Sequence, residues 1–182
     1  MRELSMHILD LAQNSIAAGA SLIEIDVIAD TVADTLAICI QDNGSGMSSE
    51  YARRVLDPFT TTRTTRRVGM GIPMFAQAAR ECEGDIEITT EKGLGTKIEA
   101  KFKLSHIDRA PLGDVATTLM TLIAANPDID ILYKQACDGR EFVLDTREIK
   151  SQLDGVSINE NAVLKWIVQY ISEGLQTAAA IP

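Results

Sequence analysis

The spacing of apolar residues changes from helical to strand-like within the first quarter of the chain. Residues 3–18 carry one helical stripe, and Gly19 behind it predicts a left-handed helix cap. Every second residue is then apolar over residues 23–27 and again over 36–40, which predicts two strands joined by a turn near residues 30–34. The helical stripe consists of Leu4, Ile8, Leu11, Ala12, Ser15 and Ile16.

A short helix and a long irregular segment follow. Ser48 or Ser49 can cap a helix that runs to about Leu56. Residues 57–70 have no apolar period, are rich in Thr and contain three arginines, so we predict a loop there. The next helix includes a proline that suits its first turn, and it runs to about Glu83.

The remaining chain continues as alternating strands and helices. We predict strands over residues 85–90 and 96–104, a helix over 112–125, and a hairpin of strands 129–137 and 140–145. Asp138-Gly139 is a strong two-residue turn signal for that hairpin.

Two helices are predicted near the end of the chain. Asp145 begins a short one, and Ser157 with Glu160 forms a capping box for the last one, which extends to about Ile171. The tail after Gly174 is predicted to fray.

Composition and charge narrow the classes of partner. Hydrophobic residues make up 46% of the 182 positions and the net charge is −9, which indicates a globular protein without a nucleic-acid or anionic-membrane surface. No secretory signal is visible, and the longest apolar stretch, 115–125, is too short to span a bilayer, so we expect a cytoplasmic protein. The three cysteines show no metal-ligand spacing and are predicted to be buried, in a reducing compartment; they are Cys39, Cys82 and Cys137.

Polar residues stand out on the first predicted helix and directly after the second predicted strand. Asp10 and Asn14 lie four residues apart, so both project from one face of the first helix. A glycine-rich turn, Asp42-Asn-Gly-Ser-Gly-Met47, follows the second strand. There is no Gly-Lys-[Ser/Thr] phosphate loop, and Gly69-Met-Gly71 lacks the third glycine of a dinucleotide fingerprint.

Four motifs in this order resemble the ATP site of the histidine-kinase, gyrase and MutL superfamily. The run from Asp10 to Val27 resembles the first motif of MutL-type ATPases, and residues 42–47 resemble the second box. Residues 57–62 with Gly69-Met-Gly71 resemble the lid and glycine box of histidine kinases, and Gly95-Thr96 resembles the final box. The resemblance covers residues 8–103 and implies a Bergerat-type fold: an α/β two-layer sandwich with a mixed, mostly antiparallel sheet.

This resemblance also implies a site for ATP with Mg²⁺. A carboxylate such as Asp42 can accept a hydrogen bond from the exocyclic amine of adenine and reject guanine. The amide oxygen of Asn14 is a hard ligand that suits Mg²⁺. The predicted ATP-binding residues are Asn14, Asp42, Gly44, Gly46, Met47, Thr61, Thr62, Arg63, Gly69, Met70, Gly71 and Thr96.

Two residues are candidates for chemistry on the γ-phosphate. Asp10 stands where MutL and gyrase have a Glu that activates water, and it is one methylene shorter, so we expect a slow or partner-dependent ATPase. Residues 105–112 match five of eight positions of the histidine-kinase phosphoacceptor box, with His106 as the nucleophile. Against this, the box follows the ATP domain and Ile107 replaces its acidic residue, so a strand-exit turn is the simpler interpretation. His7, one turn from Asp10, is interpreted as a structural histidine.

Three functional hypotheses remain open at this point. The chain is a protein kinase, a slow partner-regulated ATPase, or a nucleotide-controlled interaction module without significant turnover. We predict an ATP-binding domain over residues 1–104 and a small α+β unit over 105–182 that docks a protein partner or forms a homodimer.

Overall fold

The computed structural model describes residues 3–55 and 71–182, with six helices and six strands in these ranges. The helices are α1 (Leu4–Ala17), α2 (Ser49–Val55), α3 (Gly71–Glu81), α4 (Val115–Ala125), α5 (Thr146–Gln152) and α6 (Asn161–Ala178). The strands are β1 (Leu22–Asp30), β2 (Thr35–Asp42), β3 (Asp85–Glu91), β4 (Gly95–Lys103), β5 (Asp130–Cys137) and β6 (Arg140–Asp145).

All six strands form one sheet in the order β3-β4-β2-β1-β5-β6. Neighbouring strands are antiparallel except β1 and β5, which are parallel. The sheet is therefore mixed and mostly antiparallel, and the predicted fold class is confirmed.

One face of the sheet holds the core. In β1, Ile23, Ile25 and Val27 are fully buried, while Glu24 and Asp26 on the opposite face are half-buried. Helices α1, α3, α4 and α6 pack over the buried face, directly on strands or on one another. The alternating pattern thus produces a two-layer sandwich, because each strand presents only one apolar face.

The strands of residues 105–182 extend the sheet of the N-terminal part. Strand β5 pairs with β1 from Leu22↔Asp130 to Ala29↔Cys137, and β6 pairs with β5. Residues 105–182 contain both helices and strands, and their strands add to the first sheet. The division of the chain into two domains at residue 104 stays a prediction.

Turn chemistry places most element boundaries as predicted. Gly19 has φ 77° after α1 and Gly139 has φ 81° in the β5–β6 hairpin, so both adopt the left-handed conformation that was predicted for these turns.

Within the described residues, no helix is both long and apolar enough to cross a bilayer.

The predicted C-terminal end of the fold is wrong in two respects. The capping box is not formed, since Ser157 Oγ donates to Asn159 and α6 begins later, after Glu160, which makes no side-chain cap. The tail does not fray after Gly174, because α6 continues to Ala178 and Ala179 is fully buried.

The prediction for the cysteines also needs one correction. Cys82 and Cys137 are buried, as expected. Cys39 is only half-buried because it lies on the open face of β2, between the buried residues Ile38 and Ile40. Desolvation there raises the pKa of its thiol to about 11, so the sulfur stays protonated at neutral pH.

Buried hydrogen bonds join the residue that follows α6 to strand β5, and their loss should lower the stability of the fold. The hydroxyl of fully buried Tyr133 donates to Gln135, whose Nε2 donates to the Ala179 carbonyl at 2.7 Å. Tyr133→Phe leaves the Gln135 acceptor buried and unpaired, so we expect a loss of about 1–3 kcal/mol in the free energy of unfolding. Urea denaturation measures this, and an unchanged midpoint would contradict the assignment. Val143→Ala, on an exposed position of the neighbouring strand, is the control.

Candidate functional site

Three polar residues form a cross-strand row at one end of the buried sheet face. Asp42 of β2 pairs in register with Thr96 of β4, which pairs in turn with Thr90 of β3. Each continues an apolar alternation on its own strand, such as Ile38 and Ile40 before Asp42. The row therefore places polar groups on the helix-facing side, where the apolar core ends.

The Asp42 carboxylate is half-buried and held at both oxygens. Its Oδ2 accepts from Ser15 Oγ of α1 at 2.7 Å, and its Oδ1 accepts from the Gly44 backbone N–H at 2.9 Å. Gly44 is buried against Ala18, and a Cβ added to it would lie 3.0 Å from the Ala18 Cβ. These contacts fix the carboxylate relative to α1 and leave its remaining lone pairs for a ligand.

Two glycines let the loops around Asp42 approach each other closely. Gly95 has φ 109°, and a Cβ there would overlap the Asp42 carbonyl oxygen. Gly46 has φ 62°, and a Cβ there would overlap the Glu91 carbonyl oxygen. The Gly93 N–H donates to the Ser45 carbonyl at 2.8 Å. The loop of residues 42–47 is thereby joined to the β3–β4 hairpin.

Thr90 connects the same two loops through its side chain. Its Oγ1 accepts from the Met47 backbone N–H at 2.8 Å and lies 3.0 Å from both the Gly95 carbonyl oxygen and Thr96 Oγ1. Sequence reasoning missed Thr90 and Ser15. The signal for Thr90 was its place after Ile86 and Ile88 on the buried face of β3, where another apolar residue is expected.

Asp10 and Asn14 lie beside the N-terminus of α3. An ideal Cβ on Gly71, the first residue of that helix, would lie 3.3 Å from Asp10 Cβ and 3.7 Å from Asn14 Nδ2. Both side chains are half-buried, and neither hydrogen-bonds to another described residue. The structure thus brings an amide, a carboxylate and a helix N-terminus together, and the last of these attracts anions.

His7 is buried behind this group on α1. Its ring lies 5.3 Å from that of Phe75 in α3, and its Nδ1 has no hydrogen-bond partner among the described residues. Burial lowers the pKa of this imidazole, while the nearby Asp10 carboxylate opposes the shift. His7 makes no hydrogen bond to Asp10 within the described residues, and its interpretation as a packed structural histidine is retained.

The structure does not bring His106 to this group. Its Nδ1 accepts from the Asp108 N–H at 3.2 Å, and its Nε2 lies 3.7 Å from a Glu83 carboxylate oxygen, just beyond the C-terminal end of β4. Thr96 lies at the other end of β4, which puts roughly 23 Å of strand, at about 3.3 Å per residue, between Thr96 and Lys103.

Several predicted ATP-binding residues lie outside the described residues. These are Thr61, Thr62, Arg63, Gly69 and Met70. Of the others, Met47 is partly buried against the core and Thr96 is 9% exposed.

Comparisons with known proteins find similarity to ATPases and sensor kinases. Residues 2–106 match the family model described as "Histidine kinase-, DNA gyrase B-, and HSP90-like ATPase". A protein named as a sensor protein in Shewanella frigidimarina is 34% identical over 109 residues, which are 59% of this chain and 17% of that protein. A protein named as a C4-dicarboxylate sensor kinase in Bacillus subtilis is 31% identical over 80 residues, which are 44% of this chain and 15% of that protein. The matched segments are thus less than a fifth of either relative.

A solved structure shows the same fold. The MutL ATPase domain of Aquifex aeolicus, in complex with ADP, aligns with a TM-score of 0.53 and 14% identity over 95% of this chain and 70% of its own. The alignment therefore extends past the segment that matches the family model and includes part of residues 107–182. The family model matches more than half of the residues of this chain. The chain therefore belongs to the family of histidine kinase-, DNA gyrase B- and HSP90-like ATPases.

Proposed function

We propose that this chain binds ATP with Mg²⁺ between α1 and the end of the sheet, and that it transfers the γ-phosphoryl group slowly to water or to a partner protein. One observation carries the proposal: Asp42 and Thr96 lie in one row of the sheet, while Asp10 and Asn14 of α1 lie at the N-terminus of α3. The first pair suits a purine edge, whereas Asn14 and the N-terminus of α3 suit phosphates and their cation, with Asp10 beside them.

The Asp42 carboxylate recognises the base. It is anchored through Ser15 and Gly44, so it keeps its direction when a ligand enters. A carboxylate accepts only, and the exocyclic amine of adenine donates, so the pair forms a charge-assisted bond of about 1.5–3 kcal/mol. The Thr96 hydroxyl adds a second polar contact on the same edge.

Asn14 and Gly71 serve the phosphates. The backbone N–H groups at the N-terminus of α3 suit anionic oxygens. The Asn14 side chain lies beside Gly71, and its amide oxygen would be a suitable ligand for Mg²⁺. Bound Mg²⁺ supplies charge neutralisation of the phosphate oxygens.

Asp10 is the group that orients the attacking water or hydroxyl. It lies one helical turn from Asn14, against the same Gly71. Its short side chain favours slow turnover, because a displacement of about 1 Å at a reacting atom costs on the order of 100-fold in rate. Transfer to His106 within one chain does not fit its place at the far end of β4. A phosphorylated product would therefore be a partner protein or a second copy.

Two variants of one residue test this assignment. Asp10→Asn removes the carboxylate, and we expect phosphate release to fall by about 100-fold with ATP affinity unchanged. Asp10→Glu restores the side-chain length usual in related ATPases, and we expect faster release. Equal rates in all three proteins would contradict the role of Asp10.

The control and the acceptor are measured in the same experiment. His106→Ala should leave phosphate release to water unchanged, and loss of protein labelling in this variant would identify His106 of a second copy as the acceptor. Mass spectrometry of the chain and candidate partners after exposure to ATP then separates transfer to protein from transfer to water. Tight ATP binding with neither product would favour the alternative, a nucleotide-controlled interaction module.

A further inference from the structure

Thr90 has a complete set of hydrogen bonds next to the proposed base-binding residues. Its Oγ1 lies 2.8 Å from the Met47 backbone nitrogen, 3.0 Å from the Gly95 carbonyl oxygen and 3.0 Å from Thr96 Oγ1. A hydroxyl has one proton to donate and two lone pairs that accept. Three partners therefore use all the bonding capacity of Thr90.

The directions of these bonds follow from the partners. The Met47 N–H can only donate to Thr90, and the Gly95 carbonyl can only accept from it. The single proton of Thr90 is thus used on Gly95. The contact between the two threonines then requires Thr96 to donate, and this leaves only the lone pairs of Thr96 for a ligand.

Asp42 is a second hydrogen-bond acceptor beside Thr96. It pairs in register with Thr96, and its carboxylate also only accepts. The edge of the base site formed by these two residues therefore presents acceptors alone. Where both acceptors face position 6 of a purine, an amino group there can donate one proton to each, whereas a carbonyl meets acceptors and loses its hydrogen bonds with water.

We propose that Thr90 is a specificity-determining positioning residue, which fixes the Thr96 hydroxyl as an acceptor and so selects 6-aminopurine over 6-oxopurine nucleotides. This inference rests on the proposed ATP site. Thr90 acts through Thr96 and needs no contact with the ligand.

The test is the ratio of the Kd values for ITP and ATP, both measured with Mg²⁺ by titration calorimetry. In Thr90→Val the shape is kept and the hydroxyl is lost, so Thr96 can turn its proton toward an oxo group. We expect the preference for ATP to fall by about tenfold, chiefly through tighter ITP binding. Thr90→Ser restores the hydroxyl and should restore the preference. Thr89→Val, exposed on the opposite face of the same strand, is the matched control and should change nothing.

A double variant shows whether the effect passes through Thr96. Thr96→Val should also reduce the preference, and adding Thr90→Val to it should produce no further change in the ratio. An unchanged ratio in Thr90→Val, or an equal loss of both affinities, would overturn the inference while ATP binding by the wild type still supports the site. Wild-type protein that binds neither nucleotide would overturn the proposed function, and this inference with it.

Discussion

Asp42→Asn is expected to abolish ATP binding while the fold stays intact. The substitution removes a charge-assisted bond and places an amide N–H₂ opposite the amine of adenine, so a buried donor is left unpaired. Together these effects amount to about 4 kcal/mol, on the order of 1,000-fold in Kd. Titration calorimetry with Mg²⁺–ATP measures the change.

The fold should tolerate this substitution for a structural reason. The remaining Asn oxygen can still accept from the Gly44 N–H, and Ser15 Oγ can turn to the Leu11 carbonyl, 3.4 Å away, and accept from the new amide. Asp26→Asn on the opposite face of β1 is the matched control, with unchanged affinity expected. Retained ATP affinity in Asp42→Asn would refute the assignment of the base site.

Gly95→Ala is expected to have the largest effect on stability, and to remove ATP binding as well. A methyl group there overlaps the Asp42 carbonyl oxygen, which is part of the sheet backbone and cannot move aside cheaply. The residue also has φ 109°, which L side chains rarely adopt. We expect a loss of about 3–5 kcal/mol in the free energy of unfolding, measured by urea denaturation.

Gly93, in the same hairpin, distinguishes the effect of backbone strain from the effect of steric overlap. Gly93 has φ 87° with nothing within 4 Å of an added Cβ, so Gly93→Ala should lose only about 1–2 kcal/mol and keep its ATP affinity. Similar losses for the two variants would show that the contact between Gly95 and Asp42 has no special role.

The ATP-binding half of the fold was predictable because its signals are local. Alternation identified the strands, and the polar residue that ends the apolar series of β2, Asp42, proved to lie at the rim of the core. The spacing of Asp10 and Asn14 predicted that they share one helix face, and the structure shows that this face lies beside the N-terminus of α3.

The residues that sequence reasoning missed depend on pairing between strands distant in the chain. Thr90 became part of the site only when β3 paired with β4 and brought it opposite Thr96. The predicted start of α6 was wrong because Ser157 does not cap the helix. Its hydroxyl donates to the side chain of Asn159 instead. No local sequence pattern predicts that β5 pairs in parallel with β1, because the two strands are more than 100 residues apart in the sequence.

That parallel pairing has a consequence for the order of assembly. The β1–β2 hairpin closes over a few residues, whereas β5 must return from far along the chain, and long loops close later. During synthesis the N-terminal strands are therefore made with the outer edge of β1 bare, its backbone amides and carbonyls open to another chain. Once β5 has paired, the C-terminal residues cover that edge and protect the folded chain from self-association through it.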